Sequence, residues 1–199
     1  MLPHPLLAHP TLRRLAALLA ERPSAVAEDD GSPARAAVAL AIRLGPTGEP
    51  ELLLIRRATR EGDPWSGQVA LPGGRWSPTD ASLRETAIRE TAEETGLDLQ
   101  AGGLILGALD ELRPRTPALP PIIVTPYVAL TDGEGPLTPN HEVAAAFWMP
   151  LQHLHDPEVA RESVVQVRGA TWRVPSFVFG EYVVWGMTER ILRQLLELV

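Results

Sequence analysis

The sequence contains neither cysteine nor lysine. Because there is no cysteine among the 199 residues, the chain cannot form disulfides, zinc–thiolate sites or a thiol nucleophile, and a reducing compartment such as the cytoplasm is the simplest expectation. All 18 cationic Lys and Arg positions are arginines, which excludes a lysine base and a Schiff-base mechanism. Covalent chemistry through either side chain is therefore excluded.

Positive charge and long apolar runs are also scarce. The formal net charge is −7 at pH 7, and broad binding to nucleic acid or to an anionic membrane needs a basic surface, so we expect neither partner. No apolar run approaches the roughly 20 residues of a membrane-spanning helix. The N-terminal stretch is interrupted by Pro3, Pro5 and Pro10 and does not have the pattern of a signal peptide. A polyanionic substrate would have to meet a local basic patch.

Length and composition predict one folded domain with a substantial core, since 45% of the residues are hydrophobic. Leucines at helical spacing predict a packing helix over Thr11–Glu21, with Thr11 as its N-cap. Residues 22–34 are rich in proline, serine, alanine and acidic residues, which is typical of a linker or loop. We therefore expect residues 1–34 to be an N-terminal helix and linker that pack on a main domain of residues 35–199.

Apolar runs bounded by glycine and proline predict a series of strands and two further helices in the main domain. The predicted strands cover residues 36–44, 52–56, 68–71, 104–109, 122–130 and 146–149. The predicted helices cover residues 82–95 and 183–198. Because strands alternate with helices, we expect the α/β class, with a mixed sheet between helical layers.

Three acidic residues share one face of the predicted helix over residues 82–95. Spacings of three and four residues bring Glu90, Glu93 and Glu94 together, and a like-charged pair four residues apart opposes helix formation by roughly 0.2–0.5 kcal/mol. A divalent cation would convert this repulsion into coordination, and oxygen ligands without histidine or cysteine suit Mg²⁺ or Mn²⁺. The alternative is a solvent-exposed acidic face without a metal.

The residues around these acids form a recognisable pattern, Arg-Glu-x-x-Glu-Glu-x-Gly-hydrophobic, which extends from Arg89 to Leu97. Together with Gly74 upstream, this run resembles the signature helix of the Nudix hydrolases, which cleave a nucleoside diphosphate linked to another group. The family pattern has a glutamate followed by seven residues before Arg-Glu, whereas this chain has Asp80 and eight residues. The added residue falls in the loop before the helix and leaves the helical carboxylates unchanged.

The resemblance implies a Nudix-like α/β/α sandwich, with a mixed β-sheet between helices, over most of residues 36–198. Within the family, the chain resembles the coenzyme A pyrophosphatases. The segments that carry this closer resemblance are residues 67–74, residues 139–143 with 147–151, and residues 184–188 with 191–192. The resemblance implies cleavage of coenzyme A or its derivatives to 3′,5′-ADP and 4′-phosphopantetheine.

The resemblance also implies a metal site and a general base. The predicted ligands of Mg²⁺ or Mn²⁺ are the carboxylates of Glu90, Glu93 and Glu94 and the backbone carbonyl of Gly74. The predicted base, which takes a proton from water or orients it, is Glu93 or Glu142. Arg89 lies four residues after Glu85 and four before Glu93, so it can orient carboxylates along the helix.

The substrate-binding residues are harder to assign because this chain departs from the subgroup in one loop. The subgroup usually carries an arginine shortly before the glycine that corresponds to Gly67, whereas this chain has Gly-Asp-Pro-Trp-Ser at residues 62–66. Trp65 and Trp76 are candidates for stacking on an adenine, or they cover the core. The candidate substrate-binding arginines are Arg57, Arg60, Arg75, Arg113 and Arg115.

Three alternatives remain open from the sequence. The substrate is a small nucleoside diphosphate derivative in each enzymatic interpretation, and ADP-ribose or NADH would undergo the same chemistry as coenzyme A. A broadly selective hydrolase would differ only in the spread of its rates. A noncatalytic Nudix-like module that binds a nucleotide would retain the helix as scaffold, although it would not need three facing acids. A homodimer is common in this family, and no segment identifies an interface.

Overall fold

The computed structural model describes residues 4–62, 65–114, 121–133, 135–167 and 169–199. Within these ranges, the strands of the larger sheet are β1 (Ala34–Leu44), β2 (Pro50–Arg57), β3 (Val69–Ala70), β4 (Gly73–Arg75), β5 (Gly103–Ala108), β6 (Ile122–Thr131) and β7 (Val143–Pro150). The smaller sheet contains β8 (Ala160–Val167), β9 (Ala170–Phe179) and β10 (Tyr182–Trp185). The α-helices are α1 (Pro10–Glu21), α2 (Leu83–Thr95) and α3 (Gly186–Leu196).

The larger sheet is mixed, as the sequence predicts. Its main path is β3-β2-β1-β6-β5, and β1 pairs with β6 in parallel while the other strand pairs are antiparallel. Residues 42–44 of β1 pair with β2, and residues 36–38 of β1 pair with β4. The short strand β4 is thereby fixed against the centre of the sheet, next to Glu90 and Glu94 in the second half of α2.

Strand β1 is buried on both faces because helices cover the sheet from two sides. Its alanines Ala37, Ala39 and Ala41 pack in one cluster with Ala87 and Ile88 of α2. Alternate residues point the other way, where leucines of α1 and α3 join a second cluster with the sheet. This arrangement confirms the predicted α/β/α sandwich. In the part of the chain that the structure describes, no helix is both long and apolar enough to cross a membrane.

Two helix boundaries differ from the sequence prediction. Helix α1 begins at Pro10 with His9 as its N-cap, so Thr11 lies inside the first turn. Proline is well suited to this first position because its missing N–H would have no helical partner there. The predicted C-terminal helix starts at Gly186 rather than at residue 183, because residues 182–185 form β10 against β9.

The segment predicted as a linker lies along residues 110–113. The Arg22 guanidinium donates to the Asp110 carboxylate at 2.5 Å, and the backbone N–H of Ala25 donates to the other oxygen of that carboxylate at 2.7 Å. Further along, the backbone N–H of Ala27 donates to Glu111 at 3.0 Å. The division into residues 1–34 and 35–199 stays a prediction.

Candidate active site

Helix α2 presents its three acidic residues on one face, as the sequence predicts. Its N-cap is Ser82, whose hydroxyl accepts a hydrogen bond from the backbone N–H of Glu85 at 3.2 Å, and its C-cap is Gly96 in the left-handed region at φ 74°. The side chains of Glu90 and Glu93 are 18% and 55% exposed, whereas Glu94 is only 5% exposed. The three acids of the helix therefore range from the buried Glu94 to the solvent-exposed Glu93.

Glu94 is the buried carboxylate of the group. Burial raises its pKa to about 7, and the negative charges of Glu90 and Glu142 act in the same direction. A hydrogen bond of 2.9 Å from the backbone N–H of Gly73 and the positive charge of Arg57 oppose this rise. A carboxylate that is hard to ionise beside two other carboxylates would gain from a cation.

Two consecutive glycines place β4 against this carboxylate group. Gly73 has φ 153°, and a Cβ there would lie 2.3 Å from the backbone oxygen of Ala37. A Cβ on Gly74 would instead lie 2.4 Å from the carboxylate carbon of Glu90. The first glycine therefore allows contact between two strands, and the second allows the Glu90 carboxylate to lie directly against the backbone.

Arg89 organises the carboxylates of this region. Its Nε and Nη2 donate to the two oxygens of Asp80 at 2.8 and 2.9 Å, and its Nη1 donates to Glu90 at 2.8 Å and Glu93 at 3.1 Å. The predicted pairing with Glu93 is confirmed. The predicted pairing with Glu85 is wrong, because Glu85 accepts instead from the Gln100 side chain at 3.3 Å.

Asp80 was not among the predicted site residues. Arg89 lowers the pKa of its carboxyl well below the usual range, and hydrogen bonds from the Ser77 backbone and the Thr86 hydroxyl act in the same direction. The signal in the sequence was the position of Asp80 between Gly74 and the helix. Because the spacing between Asp80 and Arg89 differs from the family pattern, the contact between these two residues was not predicted.

Glu142 connects two loops near the carboxylates. Its side chain accepts from the Arg60 guanidinium at 2.9 Å, and its backbone oxygen accepts from the N–H of Ala58 at 2.8 Å. Both side chains of the ion pair are 46% exposed. The structure thus brings Arg60 together with one candidate base, while Arg57 lies close enough to influence Glu94.

A cavity of about 560 Å³ adjoins the carboxylates. The glycines of β4 line it together with Arg57 and Arg75, and the lining also includes residues of β6 and of the start of α3. The rings of Trp65 and Trp185 contact each other at its wall, with centroids 6.2 Å apart and an angle of 50° between their planes. The sequence predicted a helix over residues 183–198 but gave none of its residues a part in the site, so its contribution to this cavity was missed.

Three candidates for substrate contact lie elsewhere or outside the described residues. Arg113 donates to the backbone oxygens of Glu28 and Asp30 at 2.6 and 2.8 Å, which holds the N-terminal segment. The indole N–H of Trp76 donates to the backbone oxygen of Asp80 at 3.2 Å. Arg115 lies outside the described residues.

The carboxylates of α2 fit a divalent cation by their chemistry. Among the described residues, no three histidine or acidic side chains already converge as a metal site, since Arg89 binds Glu90 and Glu93 and the Gly73 N–H binds Glu94. The donors are hard oxygens, and the glycine backbone lets the Glu90 carboxylate lie directly against β4, which lines the cavity. This donor set is the one that Mg²⁺ and Mn²⁺ prefer.

Comparison with known proteins relates this architecture to one family. A model of the NUDIX domain matches residues 33–167. An uncharacterized Nudix hydrolase, NudL, of Salmonella newport is 38% identical over 148 residues, which cover 74% of each chain. A protein of Schizosaccharomyces pombe is 40% identical over 120 residues, and the match spans 56% of this chain but only 35% of that protein's length.

Solved structures share the fold at low sequence identity. A MutT/nudix family protein from Enterococcus faecalis superposes with a TM-score of 0.56 and 18% identity, covering 94% of this chain and 68% of that one. An Ap4A hydrolase from C. elegans gives a TM-score of 0.50 and 21% identity, covering 60% of this chain and 81% of that one. These likenesses concern the fold.

Proposed function

Because the chain belongs to the Nudix family of hydrolases, we propose that it is a metal-dependent pyrophosphohydrolase that cleaves coenzyme A or its derivatives to 3′,5′-ADP and 4′-phosphopantetheine. The observation that carries this proposal is the cavity of about 560 Å³ beside the carboxylates of α2. A diphosphate at the carboxylate end would leave one half of the substrate inside the cavity. This volume is in the usual range of roughly 300–1,000 Å³ for small-molecule sites.

The metal would be held by Glu90, Glu93 and Glu94, with the backbone carbonyl of Gly74 as a further ligand. When bound, Mg²⁺ or Mn²⁺ neutralises phosphate charge and polarises the phosphoryl group. The chain itself places the buried Glu94 carboxylate against the backbone N–H of Gly73 and the Glu90 carboxylate against Gly74, so two of the proposed ligands lie beside the same strand.

Glu93 or Glu142 is the general base that takes a proton from the attacking water. Glu93 is the most exposed acid of the helix, and Arg89 fixes one of its oxygens at 3.1 Å. Glu142 is half-exposed and is held by Arg60. Either carboxylate has the access to solvent that a base acting on water needs, and Arg89 supports catalysis by keeping the helical carboxylates in place.

Arginines beside the cavity provide the local positive charge that an acidic protein needs for a polyanion. Arg57 and Arg75 line the cavity near the glycines of β4 and suit the diphosphate oxygens. Arg60 at the neighbouring loop suits a more distant phosphate, and Arg113 and Arg115 remain candidates from the sequence. We further propose a cytoplasmic protein whose partner is this small molecule rather than nucleic acid or a membrane, with a homodimer as one assembly state.

A substrate panel tests the proposal. Steady-state hydrolysis of coenzyme A, ADP-ribose and NADH would be compared with Mg²⁺ and with Mn²⁺. We expect the highest kcat/KM for coenzyme A. A higher value for ADP-ribose or NADH would replace coenzyme A within the same chemistry, similar values for all three would indicate a broadly selective hydrolase, and binding without any turnover would indicate a noncatalytic module.

A further inference from the structure

We propose that Trp185 and the first turn of α3 form the selectivity wall of the cavity, and that this wall binds the pantetheine arm of the substrate rather than its nucleotide. The inference rests on the proposed function and deepens it, since it assigns one half of the substrate to one set of residues. The pantetheine arm is a mainly aliphatic chain with a few amide groups.

The two walls of the cavity come from different parts of the sequence. Gly73, Gly74 and Arg75 belong to the matched NUDIX domain, which ends at residue 167. Trp185 and Met187 lie beyond that end and face the same cavity. The lining of the cavity thus combines residues of the family domain with residues of a segment outside the match. With such a division, the family domain supplies the common reaction and the additional segment determines which substrate binds.

The lining of the cavity has basic and apolar positions. Arg75 follows Gly74 in β4 and the charge of Arg57 acts on Glu94, whereas Ile122 and Val124 of β6 and Met187 of α3 contribute apolar surface. A ribose or a second phosphate among aliphatic side chains would lose hydrogen bonds to water without replacement, and each such loss is costly. An aliphatic arm would instead bury apolar surface there.

The polar groups that α3 adds are few and suit an arm with amides. Thr188 contributes a hydroxyl and Arg190 a guanidinium to the cavity lining. The pantetheine chain carries amides and a hydroxyl at intervals, and a threonine and an arginine can bind these groups. Met187 is unbranched and adaptable, which suits contact with a flexible chain.

The two tryptophans form one aromatic surface rather than a slot. Their centroids lie 6.2 Å apart at an angle of 50°, so the rings contact each other and no parallel gap exists between them for a nucleobase. Trp185 is held in an extended conformation at φ −146° as the residue before α3. Its position depends on the β10–α3 junction, which makes it a fixed part of the wall.

Direct binding of the two product halves tests this assignment without turnover. The dissociation constants of 4′-phosphopantetheine and 3′,5′-ADP would be measured by calorimetry in Mg²⁺ for the wild type, Met187→Gln and Trp185→Leu. The matched control is Trp172→Leu, since Trp172 is a 57% exposed tryptophan of β9 that does not line the cavity. Thermal unfolding would accompany each variant, and Met187→Gln carries the test if Trp185→Leu does not fold.

We expect Met187→Gln and Trp185→Leu to raise the dissociation constant of 4′-phosphopantetheine about tenfold or more, because a buried apolar contact is lost. The dissociation constant of 3′,5′-ADP should change less than about twofold. Trp172→Leu should leave both affinities unchanged. The proposal is overturned if the wild type does not bind 4′-phosphopantetheine or if all variants bind it with equal affinity. It is also overturned if the substitutions weaken the binding of 3′,5′-ADP instead. Because no hydrolysis is measured, a failure of coenzyme A turnover would count against the proposed function alone.

Discussion

Arg89 donates to both oxygens of the Asp80 carboxylate, at 2.8 and 2.9 Å, across the loop that precedes α2. The family pattern has a longer carboxylate in this place and one residue fewer before the helix. Here the additional loop residue and the shorter side chain occur together, and the two-point ion pair still forms. The same guanidinium then reaches Glu90 and Glu93. Asp80 is therefore linked to these two glutamates through Arg89.

Replacing Asp80 with asparagine should lower turnover without removing any proposed metal ligand. The variant keeps the shape but presents an amide to a guanidinium, so Arg89 would no longer be held in its orientation. Loss of a group that orients ligands typically costs roughly 10–100-fold, and we expect kcat to fall by that order. The matched control is Asp98→Asn, at an exposed aspartate after α2. Equal kcat in both variants would contradict the positioning role.

The consecutive glycines of β4 should respond differently to alanine. Gly73→Ala would place a methyl group against the β1 backbone at a φ of 153°, and we expect a loss of roughly 2–5 kcal/mol in the free energy of unfolding. In Gly74→Ala the atoms nearest to the new methyl group would be those of the Glu90 carboxylate, at the end of a side chain that can move. Urea unfolding should show little change for Gly74→Ala while its metal-dependent turnover falls. The reverse pattern would refute this explanation of the two glycines.

The stability of the metal-free protein should decrease as the pH rises through the range in which Glu94 titrates. Burial raises the pKa of Glu94 from 4.5 to about 7, so the folded protein retains a proton that the unfolded chain has released. The contribution of this group is full below pH 4.5 and is lost through about pH 7. Urea unfolding in EDTA at pH 5 and pH 8 would measure it. Glu94→Gln, which cannot titrate, should show a smaller difference, and parallel behaviour of the two proteins would disprove the effect.

The Arg60–Glu142 ion pair should matter for catalysis and little for stability. Because both side chains are 46% exposed, breaking the pair with Arg60→Ala should change the free energy of unfolding by less than about 1 kcal/mol and should raise KM. Glu142→Gln should lower kcat by roughly 10²–10⁴-fold if Glu142 is the base. Steady-state kinetics would separate the two effects. An unchanged kcat in Glu142→Gln would indicate that Glu93 is the general base instead.

The parts of the fold that local sequence determines could be predicted. The cap at Ser82, the acidic spacing and Gly96 all lie within α2, and the helix forms between these residues. The mixed sheet, the family and the enzyme class are likewise confirmed. The choice of coenzyme A as substrate stays a prediction, and so do the individual roles of the site residues.

The remaining features depend on contacts between distant segments. Val183 and Val184 fit a helical pattern in isolation, but they pair with β9 and become a strand. The hydrogen bonds from Arg113 to the backbone of Glu28 and Asp30 join two segments that are distant in the sequence. The contribution of α3 to the cavity could not be predicted, because the cavity brings this helix together with strands that are distant in the sequence.

The most direct test of the central claim is mass spectrometry of the products formed from coenzyme A with Mg²⁺ or Mn²⁺. Glu94→Gln serves as the blank, since it removes a proposed metal ligand while preserving the shape of the side chain. The account predicts 3′,5′-ADP and 4′-phosphopantetheine from the wild type and little product from the variant. Intact coenzyme A with the wild type, or equal product from both proteins, would contradict it.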